Sequence, residues 1–322
     1  MSDSTAFENG SGFACKRFLI VTADDFGASE NINEGIEIAA DKQVITTISA
    51  LTNFPESLPL LKNISKNHPD IGIGSHLNIT TGKPVLSAQE IPSLVNDKGI
   101  FFTVDELLPK LSSIVIVDLK KELRAQIMAL VNIDIQVDHL SDQNGILSFY
   151  SPFFDIVTEL ALEFNVPIRT PEIASIKYPD LFPNSCMKQN GRKKAMKLSI
   201  QNPIKAFRLL KYARIQEIEK KVQMLDGLGI PHPDLLIEYF WGNPTIANLN
   251  HILEQLPEGT SELVLHLGTD TRQENYPSGL DIDYFINREK ELATITEKHL
   301  IKYCNTLNIR TIGYDTLIKS TR

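Results

Sequence analysis

From residue 17 onward, short runs rich in β-branched residues alternate with longer segments of helical period, and this alternation constrains the fold more than any other property of the chain. Eight runs read as strands: Arg17 to Thr22, Val44 to Leu51, Ile71 to Leu77, Ile133 to Leu140, Val166 to Thr170, Leu235 to Phe240, Glu262 to Leu267 and Ile309 to Gly313. Several are apolar at successive positions, as strands covered on both faces are. Between them, Leu119, Leu123, Ile127 and Leu130 form one helical stripe, Ile156, Leu160 and Phe164 a second, and Ile246, Leu249, Leu253 and Leu256 a third. Ser151-Pro152, Asn202-Pro203 and Asn243-Pro244 each set a capping residue before a Pro suited to the first helical turn. The pattern predicts an α/β fold, a distorted, TIM-like (β/α) barrel forming one domain over 17–322 behind a flexible tail at 1–16. A doubly wound open sheet is the competing arrangement. The long basic stretch at 184–230, with Arg192, Lys193, Lys194 and Lys197, predicts a helical insertion.

Charge and cysteine content narrow the function classes. Lys plus Arg number 32 against 40 Asp plus Glu, a net charge of −8 that argues against a nucleic-acid partner, because phosphate contacts need clustered cations. The three cysteines, Cys15, Cys186 and Cys304, fit neither a disulfide framework nor a metal knuckle. No apolar run approaches the ~20 residues of a membrane helix. The polar first 12 residues lack the form of a signal peptide, so a cytoplasmic protein without membrane contact is expected.

Polar residues gather where the strands end, and in parallel α/β folds that is where ligands bind. The first strand runs into Thr22-Ala23-Asp24-Asp25-Phe26-Gly27. Asp before Gly suits a turn, but two adjacent carboxylates repel, and a cation would relieve them while leaving one free as a base. The third strand ends in Gly72-Ile73-Gly74-Ser75-His76-Leu77-Asn78, whose glycines permit close approach to a ligand and whose His76 has the chemistry of a metal ligand. The fourth ends in Asp138-His139-Leu140-Ser141-Asp142-Gln143-Asn144-Gly145; alternation puts His139, Ser141 and Gln143 on one face. The seventh supplies His266 before the loop Thr269-Asp270-Thr271-Arg272. Four such ends are better explained by one site than by four coincidences. No P-loop, GxGxxG after a strand, GxSxG or HExxH motif occurs.

The Asp-Asp-Phe-Gly and His-Leu-Asn blocks, with Asn33-Glu34-Gly35-Ile36, Ala161 to Pro171, Glu262 to Gly268 and Arg288-Glu289-Lys290-Glu291-Leu292, resemble the YdjC-like carbohydrate deacetylases, which include chitooligosaccharide deacetylase. The resemblance spans 17 to about 318. It implies metal-dependent removal of acetyl groups from N-acetylated amino sugars or chitooligosaccharides, with Asp24 as general base, His266 as general acid, and Asp25 and His76 as ligands of a divalent ion, Mg or Zn. The family's second metal-binding His falls on Gln143, and His139 is the alternative third ligand. Asn78, Asp142, Trp241 and Arg272 are the candidate substrate contacts. The expected partner is a small acetylated sugar or oligosaccharide, with a homodimer left open. Gln143 motivates a second reading, a carbohydrate-binding pseudoenzyme; a metal-dependent hydrolase of another sugar derivative is the third.

Overall fold

Among the described residues the alternating pattern folds as seven parallel strands curled into a half-barrel sheet with helices packed around it. The computed structural model describes residues 15–182, 186–269, 282–297 and 300–320. The strands are β1 (Arg17–Phe26), β2 (Thr47–Ala50), β3 (Gly72–Leu77), β4 (Val137–Asp142), β5 (Leu235–Ile237), β6 (Gly259–Leu265) and β7 (Ile309–Thr311). Their order is β4-β3-β2-β1-β6-β5, and β7 pairs with the first residues of β1. The expected strand Val166 to Thr170 is not formed, because Pro167 and Pro171 have no N–H to give a ladder. That segment makes one bridge to β4 (Leu140 with Ile168) and, just beyond it, one to β5 (Ile173 with Leu236), so it spans the gap between the two sheet edges.

Side-chain alternation along β1 separates two cores. Leu19, Val21 and Ala23 join Ile32, Ile36, Ile48, Leu123 and Ile127 in the large cluster shared with the helices. Ile20 instead meets Ile312 and Tyr314 in a small second cluster. Next along that face, Thr22 donates to buried Glu262 at 2.6 Å, so the sheet's inner side turns from apolar to polar toward the strand ends.

Two bulges direct polar pairs to that side. The β1–β2 register shifts between Ala23 and Phe26, and Asp25 takes a left-handed conformation with φ 73°. In a regular strand Asp24 and Asp25 would point to opposite faces; the bulge lets both reach His76. In β4, Val137 pairs with Ile73 and Leu140 with Ser75, so Asp138 and His139 together oppose Gly74. A Cβ on Gly74 would lie 2.3 Å from the His139 ring, and one on Gly72 would lie 1.7 Å from the Asp138 carboxylate. The approach these glycines permit is therefore that of two side chains of the same protein.

Helices Cys186–Gln201, Pro203–Leu209 and Ile215–Leu228 form the expected insertion, and Asn202 caps the second by accepting from Lys205 N at 3.2 Å. The other two proline starts differ. Thr245, not Asn243, caps helix Ile246–Glu254, accepting from Asn248 N at 3.1 Å. Helix Ser151–Phe164 begins at Ser151 itself, behind Tyr150, with no side-chain cap. Among the described residues no single helix is long and apolar enough to cross a membrane.

Candidate active site

The polar strand ends converge. His76 Nε2 lies 3.6 Å from Asp25 Oδ1, 3.9 Å from Asp24 Oδ2 and 3.1 Å from Gln143 Oε1. All four residues are buried. Arg169, in the segment bridging β4 and β5, grips Asp24 in bidentate fashion: Nη1 donates to Oδ2 at 2.7 Å and Nη2 to Oδ1 at 2.8 Å. The same guanidinium donates to Glu262 at 2.9 to 3.2 Å, and Glu262 also accepts from Tyr314 Oη at 2.7 Å. Arg288, fully buried on helix Ile282–Thr296, forms an ion pair with Asp25 Oδ2. One turn on, Glu291 accepts the backbone N–H of His266 at 2.7 Å. The His266 ring meets Trp241 edge to face, with centroids 4.6 Å apart.

Other expected residues are placed elsewhere. His139 sits deeper, accepted at Nδ1 by Asp138 at 2.6 Å, 2.8 Å from Ser49 Oγ at Nε2 and stacked on Tyr314 at 4.3 Å. Two serine hydroxyls separate it from His76, so Gln143 and not His139 is the side chain that lies against His76 Nε2. Asn78 is spent inside its own turn: Oδ1 accepts from Thr80 N and Thr81 N, while Nδ2 donates to Asn53 Oδ1 and Thr81 O. Asp142 accepts from Leu147 N, Ser148 N and Ser148 Oγ, which anchors the short helix Ile146–Phe149. Both side chains are committed to hydrogen bonds within the protein. Arg272 and the tail residues 1–14 lie outside the described residues.

Burial and ion pairs oppose each other at the carboxylates. Burial pushes the Asp24 carboxyl up, but Arg169 and His76 outweigh it, and the net shift is down. Asp25 follows the same course under burial, Arg288, His266 and His76. Burial lowers His266 to about 4, so the ring is neutral near pH 7. Burial raises Glu291 to about 8, and its Oε1 has no hydrogen-bond partner among the described residues.

The Glu291 shift has a measurable sign. A carboxyl that holds its proton more tightly when folded stabilises the fold below its unfolded value of 4.5, and that stability is lost as pH rises toward about 8. His266 works the other way, its contribution falling away as pH drops from 6.5 toward about 4. Between pH 6.5 and 8 the pH slope from Glu291 therefore outweighs that from His266, which fades as pH rises. Wild-type stability from urea unfolding is expected to decline across that window by less than about 1 kcal/mol per pH unit, because His266 and Lys221, the latter lowered to about 8 by burial, titrate with the opposite sign. Glu291→Gln keeps an acceptor for His266 N–H and is expected to flatten the decline; an unchanged slope would refute the assignment.

Among the described residues, no three His, Cys, Asp or Glu side chains make a cation cage by themselves. With the Gln143 amide oxygen counted, Asp25, His76 and Gln143 present three donor atoms. Their spacings of 3.6 and 3.1 Å about His76 Nε2 are close to the ~3.0–3.4 Å separating neighbouring ligands around an ion with bonds of about 2.1 Å. The donor set suits a divalent cation.

Comparison with known proteins decides the family. The sequence profile of the YdjC-like proteins matches residues 18–306. The chain belongs to the YdjC-like family. A carbohydrate deacetylase of Clostridium beijerinckii is 27% identical over 297 residues, 92% of this YdjC-like chain and 98% of that one. A carbohydrate deacetylase of Brevibacillus brevis is 35% identical over 153 residues, 48% of this chain and 59% of the relative. A crystal structure from Enterococcus faecalis V583, provisionally described as a cellobiose-phosphate cleavage protein, superposes with a TM-score of 0.72 at 19% identity. The match covers 94% of this chain and 99% of that one, and it shows a shared fold.

Proposed function

We propose that this YdjC-like protein is a carbohydrate deacetylase that hydrolyses the acetyl amide of an N-acetylated amino sugar, using a divalent cation held by Asp25, His76 and Gln143. The observation that carries the reading is the convergence of those three side chains beside a carboxylate, Asp24, whose two oxygens are both held by Arg169. The names of the full-length relatives point the same way. The resemblance implies Mg or Zn. The mixed carboxylate, imidazole and amide donors suit harder ions more than an all-imidazole site would.

The ion, when bound, supplies Lewis-acid polarisation of the acetyl carbonyl. Asp24 takes the proton of the attacking water, and the Arg169 fork fixes the direction of its lone pairs. His266, neutral at rest, receives the proton that Asp24 has taken and gives it to the leaving nitrogen as the C–N bond breaks. Water supplies the oxygen that completes acetate and the hydrogen that completes the amine, so both residues end the cycle as they began. Arg288 keeps Asp25 ionised, and Trp241, packed on the acid, offers an apolar ring for a sugar face.

The test is acetate release from acetylated chitobiose-type substrates with Mg, Zn, Mn or Co added to the purified protein. Ion-dependent release supports the deacetylase. Sugar binding with no release under any ion supports the binding protein that Gln143 motivates, and release of another group from a sugar derivative supports the third reading. Gln143→His replaces the amide with the imidazole that the resemblance implies at this position. It is expected to tighten Zn binding at least roughly tenfold, ~1.4 kcal/mol, by calorimetry. Unaltered affinity would remove Gln143 from the ligand set.

A further inference from the structure

Behind His76, four hydrogen bonds lead through the barrel interior to a carboxylate that does not touch the site. His76 Nδ1 lies 2.8 Å from Ser141 Oγ, Ser141 Oγ 2.9 Å from Ser49 Oγ, Ser49 Oγ 2.8 Å from His139 Nε2, and His139 Nδ1 2.6 Å from Asp138 Oδ1. His76, Ser49, Ser141 and His139 are buried, His139 completely. Thr47 Oγ1 fixes the far end by donating to Asp138 Oδ2 at 2.9 Å. Resting on the reading of His76 as a cation ligand, we propose that Asp138 and His139 are positioning residues that set the tautomer of His76, placing its proton on Nδ1 and leaving Nε2 bare toward Asp25 and Gln143.

Donor and acceptor counting gives the direction. An ionised Asp138 accepts only, so His139 must carry its proton on Nδ1. A neutral ring with Nδ1–H can only accept at Nε2, so Ser49 spends its one hydroxyl proton on His139. Ser49 Oγ then has lone pairs alone for Ser141, whose single proton goes to Ser49. Ser141 Oγ in turn has lone pairs alone for His76, which must donate from Nδ1. The chain of donations has one sense from end to end, set by a carboxylate three hydrogen-bonded side chains away from His76.

The consequence falls on Nε2. In that tautomer it presents a lone pair to Asp25 Oδ1, Asp24 Oδ2 and Gln143 Oε1, all within 3.9 Å. Lone pairs facing one another repel, and a cation between them removes the repulsion. A metal-ligating His whose other ring nitrogen donates to an outer partner is held in the right tautomer and orientation. Here that outer partner is Ser141, and the bulge at Asp138-His139 with the missing side chains of Gly72 and Gly74 makes room for the far end of the chain behind it.

The test is the ring nitrogens of His76 and His139 in ion-free wild-type protein, read by long-range ¹H–¹⁵N correlation. The expected result is a protonated-type Nδ1 and an unprotonated-type Nε2 on both rings. Ser49→Ala cuts the chain, and is expected to let Nε2–H of His76 grow in and to weaken Zn binding by roughly 10–100-fold. Ser49→Thr keeps the hydroxyl and is expected to restore both readouts. A wild-type His76 protonated at Nε2 would overturn the proposal with no variant needed, as would unchanged His76 signals in a folded Ser49→Ala. Wild-type acetate release separates the two claims. Release with the wrong tautomer sinks this inference alone, and the expected tautomer without release under any ion sinks the deacetylase alone.

Discussion

Arg169→Met is expected to destabilise the fold by roughly 3–5 kcal/mol, the cost of leaving buried charge without its partner. The guanidinium answers two carboxylates at once, Asp24 and Glu262, both buried. Met fills much of the volume and supplies none of the charge. Replacing only the cation therefore leaves two anions facing each other in the interior, whereas Arg169→Met combined with Glu262→Gln is expected to recover part of the loss. The pH dependence gives a second, independent sign. In the wild type the folded carboxyl of Asp24 lies below its unfolded value of 3.8, so its stabilising contribution is present above that value and is lost as pH falls below it toward the lower folded value. Without Arg169, burial is opposed far less, the folded value moves up, and acid relieves the variant by letting Asp24 take a proton. The stability deficit measured by urea unfolding should be largest near pH 7 and shrink toward pH 5. A deficit that is constant with pH would mean that lost packing, and not buried charge, sets the cost.

This double role of Arg169 is not legible in the sequence. Strand ends are legible because an apolar run followed by Asp-Asp-Phe-Gly or Ser-His-Leu-Asn locates both an element and its polar tip, and so Asp24, Asp25, His76 and His266 could be singled out without coordinates. Their counterions were not. Arg288 and Glu291 lie in a helix whose charges look in sequence like a solvated face, and only the helix's rotation against the sheet buries that side. Glu262 and Arg169 did carry a signal, each a charge inside an otherwise apolar stretch, a pattern that calls for a partner when the stretch is buried. Bulges are invisible to periodicity, because an inserted residue changes pairing and not composition. Strict alternation correctly put His139, Ser141 and Gln143 on one face, but it also put Asp138 on the other, and the bulge brings Asp138 back. The strand Val166 to Thr170 failed for a reason that was legible, the two prolines that remove ladder donors.

Asp24→Asn is expected to lower the rate of acetate release by roughly 10²–10⁴-fold, the usual contribution of a positioned general base. The amide is nearly isosteric with the carboxylate and keeps one oxygen for the Arg169 fork, while Glu262 still neutralises the guanidinium. The loss of fold stability should therefore be smaller than for Arg169→Met, and sugar binding, measured by calorimetry, should stay near wild type because the change removes a proton acceptor and not a pocket wall. A fall confined to kcat with KM unchanged is the signature of an interaction made only in the transition state. Asp25→Asn should differ in kind: Asp25 faces His76 and Arg288, so its neutralisation weakens the hold on the cation and leaves Arg288 without its counter-charge. Its activity should respond to added Mg or Zn, whereas that of Asp24→Asn should not. If excess ion rescued Asp24→Asn instead, the two carboxylates would exchange roles, and the one gripped by Arg169 would be the ligand.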